Sequence, residues 1–593
     1  MISSFTLGNF KAFGPAQTIP LKPITLIFGP NSAGKSSIIH SLLFAHEALQ
    51  QGKLDVHGTT LGGKSVDLGG FQQLTHRCNP DNSVTLSFSF PKLSGTKSSG
   101  WELEKVVIRA TLQMQDAMLS TGDDTLDQLL RDTGIHMVDQ TAAETVKIFE
   151  KFLADRISGK GAAPVLRRFE VEVDGEILVQ ASRRGEQGMK IDRFSTSHPT
   201  SVQFIEAIVL ASSTTQTFSE EDAEIVSEAL NEMLPEIELE EYGILARSKQ
   251  GLQAGRVIQS DLFAIGKENR AGNLRDHARQ FLPRLINGLF DCVSGAMQTF
   301  FQRLDYLGPL RSYPPRHLSL ETIGDSSKSE GLDAWGVVLR DAAVREKINR
   351  WLSSEFLTTK YEIGVNSLVP LHLAAEALDN EFSEIVGERE SQHEEDKGNS
   401  GNHEADERFY SPYSCGQWDV PELYRRMLWQ IIQRSSRSAV PELTLRDKRT
   451  GTFVSHRDIG IGLSQLLPVL VNAYGSEGRV LAVEQPEIHL HPALQSELAD
   501  VFIESALGPQ KNTFVLETHS EHLILRILRR IRETAADELP DSAIPICPSD
   551  VSVLYVKPGS EGSEVVEMPV NTEGDFDVPW PDGFFAERAK ELF

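Results

Sequence analysis

Residues 26–37 read LIFGPNSAGKSS. The apolar run 24–28 gives way to Gly29-Pro30-Asn31-Ser32-Ala33-Gly34-Lys35-Ser36, which has the G-x-x-x-x-G-K-[ST] spacing of a phosphate-binding loop. Apolar residues then recur at helical spacing at Ile38, Ile39, Leu42, Leu43 and Leu49. The chemistry needs this order. Gly29 and Gly34 let the backbone curl until successive N–H groups point at phosphate oxygens, and the helix that follows adds its positive N-terminal end. The candidate nucleotide contacts are therefore Gly29, Asn31, Ser32, Ala33, Gly34, Lys35, Ser36 and Ser37. Lys35 would reach the β/γ-phosphates of ATP, and Ser36 would give its hydroxyl to Mg2+.

The chain has 593 residues, of which 40% are hydrophobic. That length implies several domains, or one large head with insertions, at about 150 residues per domain. No apolar run reaches the roughly 18 residues of a membrane span, and the first residues, MISSFTLGNFKAF, lack the basic-then-apolar order of a secretory signal. Cys78, Cys292, Cys415 and Cys547 are scattered, with no C-x-x-C, which argues against a zinc site or a disulfide framework. A cytoplasmic location is expected. Asp and Glu number 84 against 58 Lys and Arg, a net charge of −26. Such a surface repels phosphate backbones, so protein partners are favoured over broad nucleic-acid coating.

Taken in order, residues 1–112 read as the N-terminal part of a head, with strands at 5–13, 21–28, 84–90 and 106–112. Residues 113–303 read as a mixed, mostly helical insertion. Helical spacing appears at 145–157, 220–234 and 281–301, and 169–179 alternates around Asp174-Gly175 as a hairpin does. No heptad persists, so no long coiled-coil arm is expected. Residues 304–548 read as the C-terminal part of the head. They open with a Gly/Pro loop at 306–316 whose Arg311 and Arg316 read either as contacts for phosphate or a partner carboxylate or as solvated side chains, and they include a charged, apolar-poor excursion at 385–408 expected to be disordered. Residues 549–593 form a short tail. The expected fold class is α/β.

Three later stretches carry chemistry. Residues 442–454 suggest a hairpin, after which 458–468 (DIGIGLSQLLP) opens a helix whose small residues and Ser464 suit an anion-receptive N-terminus. The buried-strand run 479–483 ends in Glu484-Gln485-Pro486-Glu487-Ile488-His489-Leu490-His491-Pro492, and an acid at a strand tip beside a phosphate-binding loop can hold Mg2+ through water. The strand 513–516 ends in Glu517-Thr518-His519-Ser520, where His519 is placed to sense the γ-phosphate. Arg526, Arg529, Arg530 and Arg532 form a basic stripe on the next helix, read either as a solvated face or as a surface for DNA or an acidic partner.

These motifs, in this order, resemble an ABC-type P-loop ATPase head of the SMC-like kind, as in the overcoming-lysogenization-defect group. The likeness is strongest to predicted bacterial AAA-type ATPases with EQPE-x-HLHP at 484–492 and a W-P-x-G-F-F tail at 580–585. Some of those relatives are ATPase subunits of Septu-like and retron-associated anti-phage systems. The resemblance covers 1–75, 304–316 and 440–593. It implies a homodimer, or a higher oligomer, whose heads sandwich ATP, with Ser464 of one subunit facing the loop of the other. It also implies a partner effector, a nuclease or a toxin, with nucleic acid reached through that partner or a local basic patch. Gln72 and Gln73 are candidates for the glutamine that reaches Mg2+ and the attacking water. One departure stands out. Such heads place a glutamate after the Walker-B acid, and here that position holds Gln485, an amide that cannot accept a proton. Either Glu487, His491 or His519 takes over, or ATP acts as a slowly hydrolysed switch. Competing expectations are a DNA-repair or remodelling motor, and an OLD-like nuclease. The second is weakened because a polar turn, not an apolar strand, precedes Asp575-Phe576-Asp577.

Overall fold

The computed structural model describes residues 2–79, 81–94, 102–116, 162–184, 188–212, 220–234, 237–248, 270–312, 329–353, 361–368, 375–376, 383, 429, 440–454 and 461–581. The expectations for 145–157, Arg316, 385–408, 458–460 and 582–585 lie outside the described residues. The chain divides into two compact units. The first is Met1–Ser312, Gly324–Ala334 and Ile461–Phe593, and the second is Tyr313–Ile323 and Trp335–Gly460.

The first unit is built on a six-stranded sheet drawn from both ends of the chain. Its order is β13 (Leu304–Leu307), β17 (Val480–Glu484), β18 (Thr513–Glu517), β3 (Ile24–Phe28), β19 (Val551–Lys557) and β20 (Glu564–Glu567). All neighbours are parallel except β19 and β20. β3 (ITLIF), β17 (VLAVE) and β18 (TFVLE) are buried at every residue. A parallel strand covered on both faces reads as a continuous apolar run, as these do. Four helices belong to this layer: α1 (Lys35–Gln51), α7 (Ile461–Gly475), α8 (Pro492–Leu507) and α9 (Glu521–Ala535).

A second sheet of the same unit is antiparallel throughout. It runs β12 (Leu245–Ser248), β11 (Glu238–Tyr242), β10 (Met189–Phe194), β9 (Glu176–Arg183), β8 (Ala162–Val173), β7 (Glu102–Asp116), β6 (Val84–Ser94), β1 (Ser4–Gly8) and β2 (Gln17–Pro20). Val84, Leu86, Phe88 and Phe90 alternate into the core from β6, as Val106, Ile108, Ala110 and Leu112 do from β7. The β8–β9 turn is Asp174-Gly175, both at positive φ (50° and 87°), the geometry that a two-residue hairpin needs. Strand β7 crosses 112/113, so the strands of 162–248 continue the sheet begun by β1, β2 and β6. The helices α3 (Pro199–Ser212), α4 (Glu220–Met233) and α5 (Arg270–Gln302) accompany it. α5 packs through Phe290 on Phe169 and Phe301 on Phe88, with ring centroids 6.0 and 5.5 Å apart. A small hairpin, β4 (Gly58–Thr59) and β5 (Gly63–Asp67), and the short α2 (Phe71–Leu74) lie between α1 and β6.

In the second unit, β14 (Tyr361–Leu368) and β16 (Phe453–Val454) flank β15 (Val440–Asp447) in an antiparallel sheet that contains the hairpin expected at 442–454. Helix α6 (Ala342–Leu352), capped by Asp341, is tied to β14 through Asn349, which exchanges both hydrogen bonds with the backbone of Ile363 (2.8 and 2.7 Å). Among the described residues no helix is long and apolar enough to cross a membrane. The fold class is α/β, with the loop 29–34 at the end of a central parallel strand.

Candidate nucleotide site

The loop after β3 is a constrained turn. Gly29 and Gly34 have φ of 147° and 100°, where a side chain is strained. A Cβ at Gly29 would lie 2.5 Å from the Val556 carbonyl oxygen, and one at Gly34 would lie 2.4 Å from Ala12 Cβ. The Ser563 hydroxyl, from the β19–β20 turn, donates to the Ala33 carbonyl (2.6 Å) and pins the loop from behind. Asn31 and Ser32 are exposed, Ala33 and Ser37 are buried, and Gly34 caps α1 in the left-handed region. The sequence thus makes a loop whose outer edge is open and whose inner edge is locked.

Lys35 and Ser36 point toward a carboxylate that the sequence reading did not single out. Lys35 is 4% exposed, donates to the Pro30 carbonyl (3.0 Å) and has Nζ 3.9 Å from Glu517 Oε1. The Ser36 hydroxyl donates to Glu517 Oε2 at 2.7 Å. Glu517 ends β18, and its Cα is paired with Glu484 at the end of β17 and with Ile27 of β3. Burial raises the carboxyl of Glu517 and that of Glu487 above the usual range. Burial lowers the Lys35 ammonium, although Glu517, Glu487 and Glu484 all favour its charge.

Glu484 sits in a buried polar chain. Tyr306, from β13, donates to its Oε1 (3.1 Å), and His40 Nε2, from α1, is 3.7 Å away. His40 Nδ1 is 2.9 Å from Lys11 Nζ. Burial, with help from Glu517, pushes the Glu484 carboxyl up to about 8. Burial and Lys11 hold His40 neutral, at about 3. Arg311 is the other unexpected member. A solvated loop arginine was as good a reading of its sequence as a functional one, yet it is 4% exposed. Its guanidinium donates to the carbonyls of Gln465 (3.2 Å), Glu484 (2.9 Å) and Gln485 (3.4 Å), and the Gln465 amide pairs with the Arg311 backbone (3.1 and 2.7 Å). Arg311 therefore fastens α7 to the tip of β17.

The turn after β17 is wound tightly. Gln485 has φ 44°, and its N–H donates to the Glu517 carbonyl (2.7 Å). Glu487 Oε1 accepts from the His519 N–H (2.7 Å), while its Oε2 is buried without a hydrogen-bond partner. His519 is half-buried, and burial, with Lys35, lowers its pKa. His491 Nδ1 accepts from the Ala493 N–H (3.3 Å) and caps α8, so its place in the turn is structural. Ser520 caps α9 in the same way.

Some candidates are not brought to this cluster. Gln73 is exposed and Gln72 half-buried on α2, and among the described residues neither side chain bonds to the loop 29–37. Ser464 is 1% exposed, inside the protomer, on α7. Its hydroxyl is not on an outward surface of this chain. Of the basic stripe, Arg526 pairs with Glu497 and Asp500 of α8, and Arg530 with Asp500 and Glu533. Those two arginines tie α9 to α8 rather than facing outward, while Arg529 and Arg532 are exposed. Trp580, the first residue of the tail motif, packs its ring 5.6 Å from Phe28, 5.7 Å from Tyr555 and 5.0 Å from Phe576. The tail thus reaches the residue just before Gly29.

Lys11, His40, Tyr306 and Glu517 were not among the sequence candidates for the site. Only Glu517 carried a usable signal, as an acid ending an apolar run, the same pattern that marked Glu484. A Mg2+ ion suits the donors present, which are a hydroxyl and carboxylates, all hard oxygens. Among the described residues no three His, Cys, Asp or Glu side chains are grouped to hold a metal alone. The remaining ligands would be phosphate and water, as is usual for this ion.

Comparison with known proteins gives the class. Residues 365–524 match an AAA ATPase domain, and residues 4–130 match an AAA domain. No curated protein matches the chain. Similar solved structures include an Smc head bound to the C-winged helix domain of ScpA (11% identity, TM-score 0.31, covering 96% of this chain and 97% of that one). Others are an Smc head with an extended coiled coil bound to the C-terminal domain of ScpA, derived from Pyrococcus furiosus (11%, 0.31, 100% and 98%), and an SMC head domain from Thermotoga maritima (10%, 0.30, 96% and 99%). Likeness at these scores adds no argument of its own. The two domain matches, with the loop geometry above, support an AAA-type ATPase.

Proposed function

We propose that this chain binds Mg·ATP at residues 29–37 and hydrolyses it slowly, as a switch rather than a motor. The observation that carries the reading is the convergence of Lys35, Ser36, Glu484 and Glu517 at the ends of three adjacent parallel strands. The loop N–H groups and Lys35 would bind the phosphates, and Ser36 and Glu484 would hold the metal. Bound Mg2+ would neutralise charge on the β- and γ-phosphate oxygens. His519, on the strand tip beside Lys35, would face the γ-phosphate, with Glu487 fixing its backbone. Gln485 cannot take a proton from water, and a missing general base commonly costs about 10²–10⁴ in rate.

A slow ATPase keeps its ATP-bound state long enough to hold a partner in one state. Two such heads would sandwich ATP across a homodimer. Since Ser464 is buried, the N-terminal turn of α7 would have to open before that hydroxyl met the second subunit's nucleotide. ATP at a hundredfold excess over Kd would stabilise the bound assembly by about 2.7 kcal/mol. Its loss would release an effector, a nuclease or a toxin, in an anti-phage complex in the cytoplasm. That finer part rests on the motif resemblance at 484–492 and 580–585. The DNA-motor reading is the weaker one, because Arg526 and Arg530 are spent on ion pairs within the chain. The test is sedimentation of the full chain with and without Mg·ATP, together with ATP turnover and identification of proteins retained with it from its native cell. ATP-dependent association with turnover below roughly 1 per second supports the reading. Fast turnover with no change in assembly refutes it.

A further inference from the structure

We propose that Glu517 is a second carboxylate ligand of the nucleotide-bound magnesium, beside Ser36 and Glu484. The inference rests on the reading of residues 29–37 as an ATP site. Distance favours this arrangement. In an octahedral Mg2+ shell with bonds of about 2.1 Å, neighbouring ligand oxygens lie roughly 3 Å apart. Ser36 Oγ and Glu517 Oε2 are already 2.7 Å apart, so one cation can take both with little movement.

Rigidity favours it too. Glu517 is the last residue of a strand buried at every position. On one side its carbonyl accepts the Gln485 N–H (2.7 Å), and on the other the Thr518 N–H donates to the Ile27 carbonyl (3.1 Å). The backbone that carries this carboxylate is thus held on both sides, between the loop strand and the β17 tip. Charge points the same way. Glu484, Glu487 and Glu517 all act on a single ammonium, Lys35, before any phosphate arrives. The Glu487 Oε2 there is buried and lacks a hydrogen-bond partner. Lys11 and Arg311 also act on these acids, but three acids and a triphosphate outweigh the three cations, and a divalent cation offsets the excess. An uncharged Gln485 beside Glu484 fits the same balance, because a fourth acid would add repulsion where Glu517 already supplies the second carboxylate.

The test is calorimetric titration of the full chain with ATP, in excess Mg2+ and in EDTA. Wild type should bind more tightly with Mg2+. Glu517→Gln should lose about 10–100-fold of that gain. In EDTA it should bind as well as wild type or better, since one negative charge facing the phosphates is gone. If Glu517→Gln keeps the full Mg2+ gain, the inference is wrong while the ATP site stands. If wild type binds no ATP in either condition, the site reading falls and takes the inference with it. Should a circular-dichroism melt show Glu517→Gln unfolded, Glu517→Asp serves instead. That variant keeps the charge but shortens the reach, and it should weaken binding with Mg2+ and not in EDTA. An unchanged Mg2+ gain in Glu517→Asp would overturn the proposal.

Discussion

Arg311→Ala should destabilise the first unit more than any surface arginine change. The side chain is 4% exposed and makes two well-formed bonds, to Gln465 O (3.2 Å) and Glu484 O (2.9 Å), and a longer one to Gln485 O (3.4 Å). A hydrogen bond to a charged group contributes about 1.5–3 kcal/mol, so two give about 3–6 kcal/mol. Breaking a buried charged contact by removing one partner costs about 3–5 kcal/mol, which agrees. One kcal/mol shifts the melting temperature by about 2–4 °C for 150–250 residues, and by less in a larger unit. A drop of roughly 3–10 °C is expected. Arg311→Lys should recover only part of it, because one ammonium cannot span carbonyls on both α7 and β17. Arg529→Ala is the comparison: its side chain is 57% exposed and its i,i+4 pair with Glu533 is worth at most a few tenths of a kcal/mol, about 1 °C or less. Differential scanning calorimetry of the three variants decides. If Arg311→Ala melts within about 1 °C of Arg529→Ala, Arg311 is a solvated loop residue and the fastening of α7 to β17 is wrong.

Three further outcomes follow from the site. Gly29→Ala, at φ 147° with its Cβ 2.5 Å from the Val556 carbonyl oxygen, should lower the melting temperature and abolish ATP binding; a variant that binds like wild type would show that the loop tolerates a side chain. Gln485→Glu should raise ATP turnover by at least tenfold if a proton acceptor is what the site lacks, and unchanged turnover in a coupled phosphate-release assay would place the base elsewhere. Trp580→Ala removes an indole packed edge-to-face on Phe28 and Tyr555, and should cost about 1–3 kcal/mol in urea unfolding, with weaker ATP binding as β3 loosens at its end; an unchanged midpoint would make the tail a bystander.

Some of this was written locally in the chain. The run 24–28, the glycines at 29 and 34 and the apolar spacing of α1 are near neighbours, so one window carries strand, loop and helix. The acids ending β17 and β18 were visible for the same reason, although only Glu484 was given a role. What decided between them is register. Glu517 lies against Ser36 because β18 pairs with β3, a contact between residues 481 positions apart that no local pattern encodes. Arg311 was opaque for a related reason. Its loop looks solvated by composition, but it is buried by α7 and the tip of β17, which come much later in the chain. Ser464 and the arginine stripe were legible only in part. Small residues at a helix start suggested an anion-receptive N-terminus, and the burial of Ser464 in this chain is not written in them. The four arginines could be a solvated face or a binding surface, and the acids of α8 that pair with Arg526 and Arg530 become visible only once the two helices are side by side.

The central claim is that residues 29–37 hold the phosphates of ATP, and Lys35 tests it most directly. Its ammonium lies beside Glu517 at the start of α1, where Glu517, Glu487 and Glu484 all act on it. Titration of ATP with Mg2+ into wild-type chain and into Lys35→Ala, both shown to be folded by their melting curves, is the measurement. The account predicts saturable binding at one ATP per chain for wild type and no measurable binding for the variant. Equal affinity in the two proteins would contradict it.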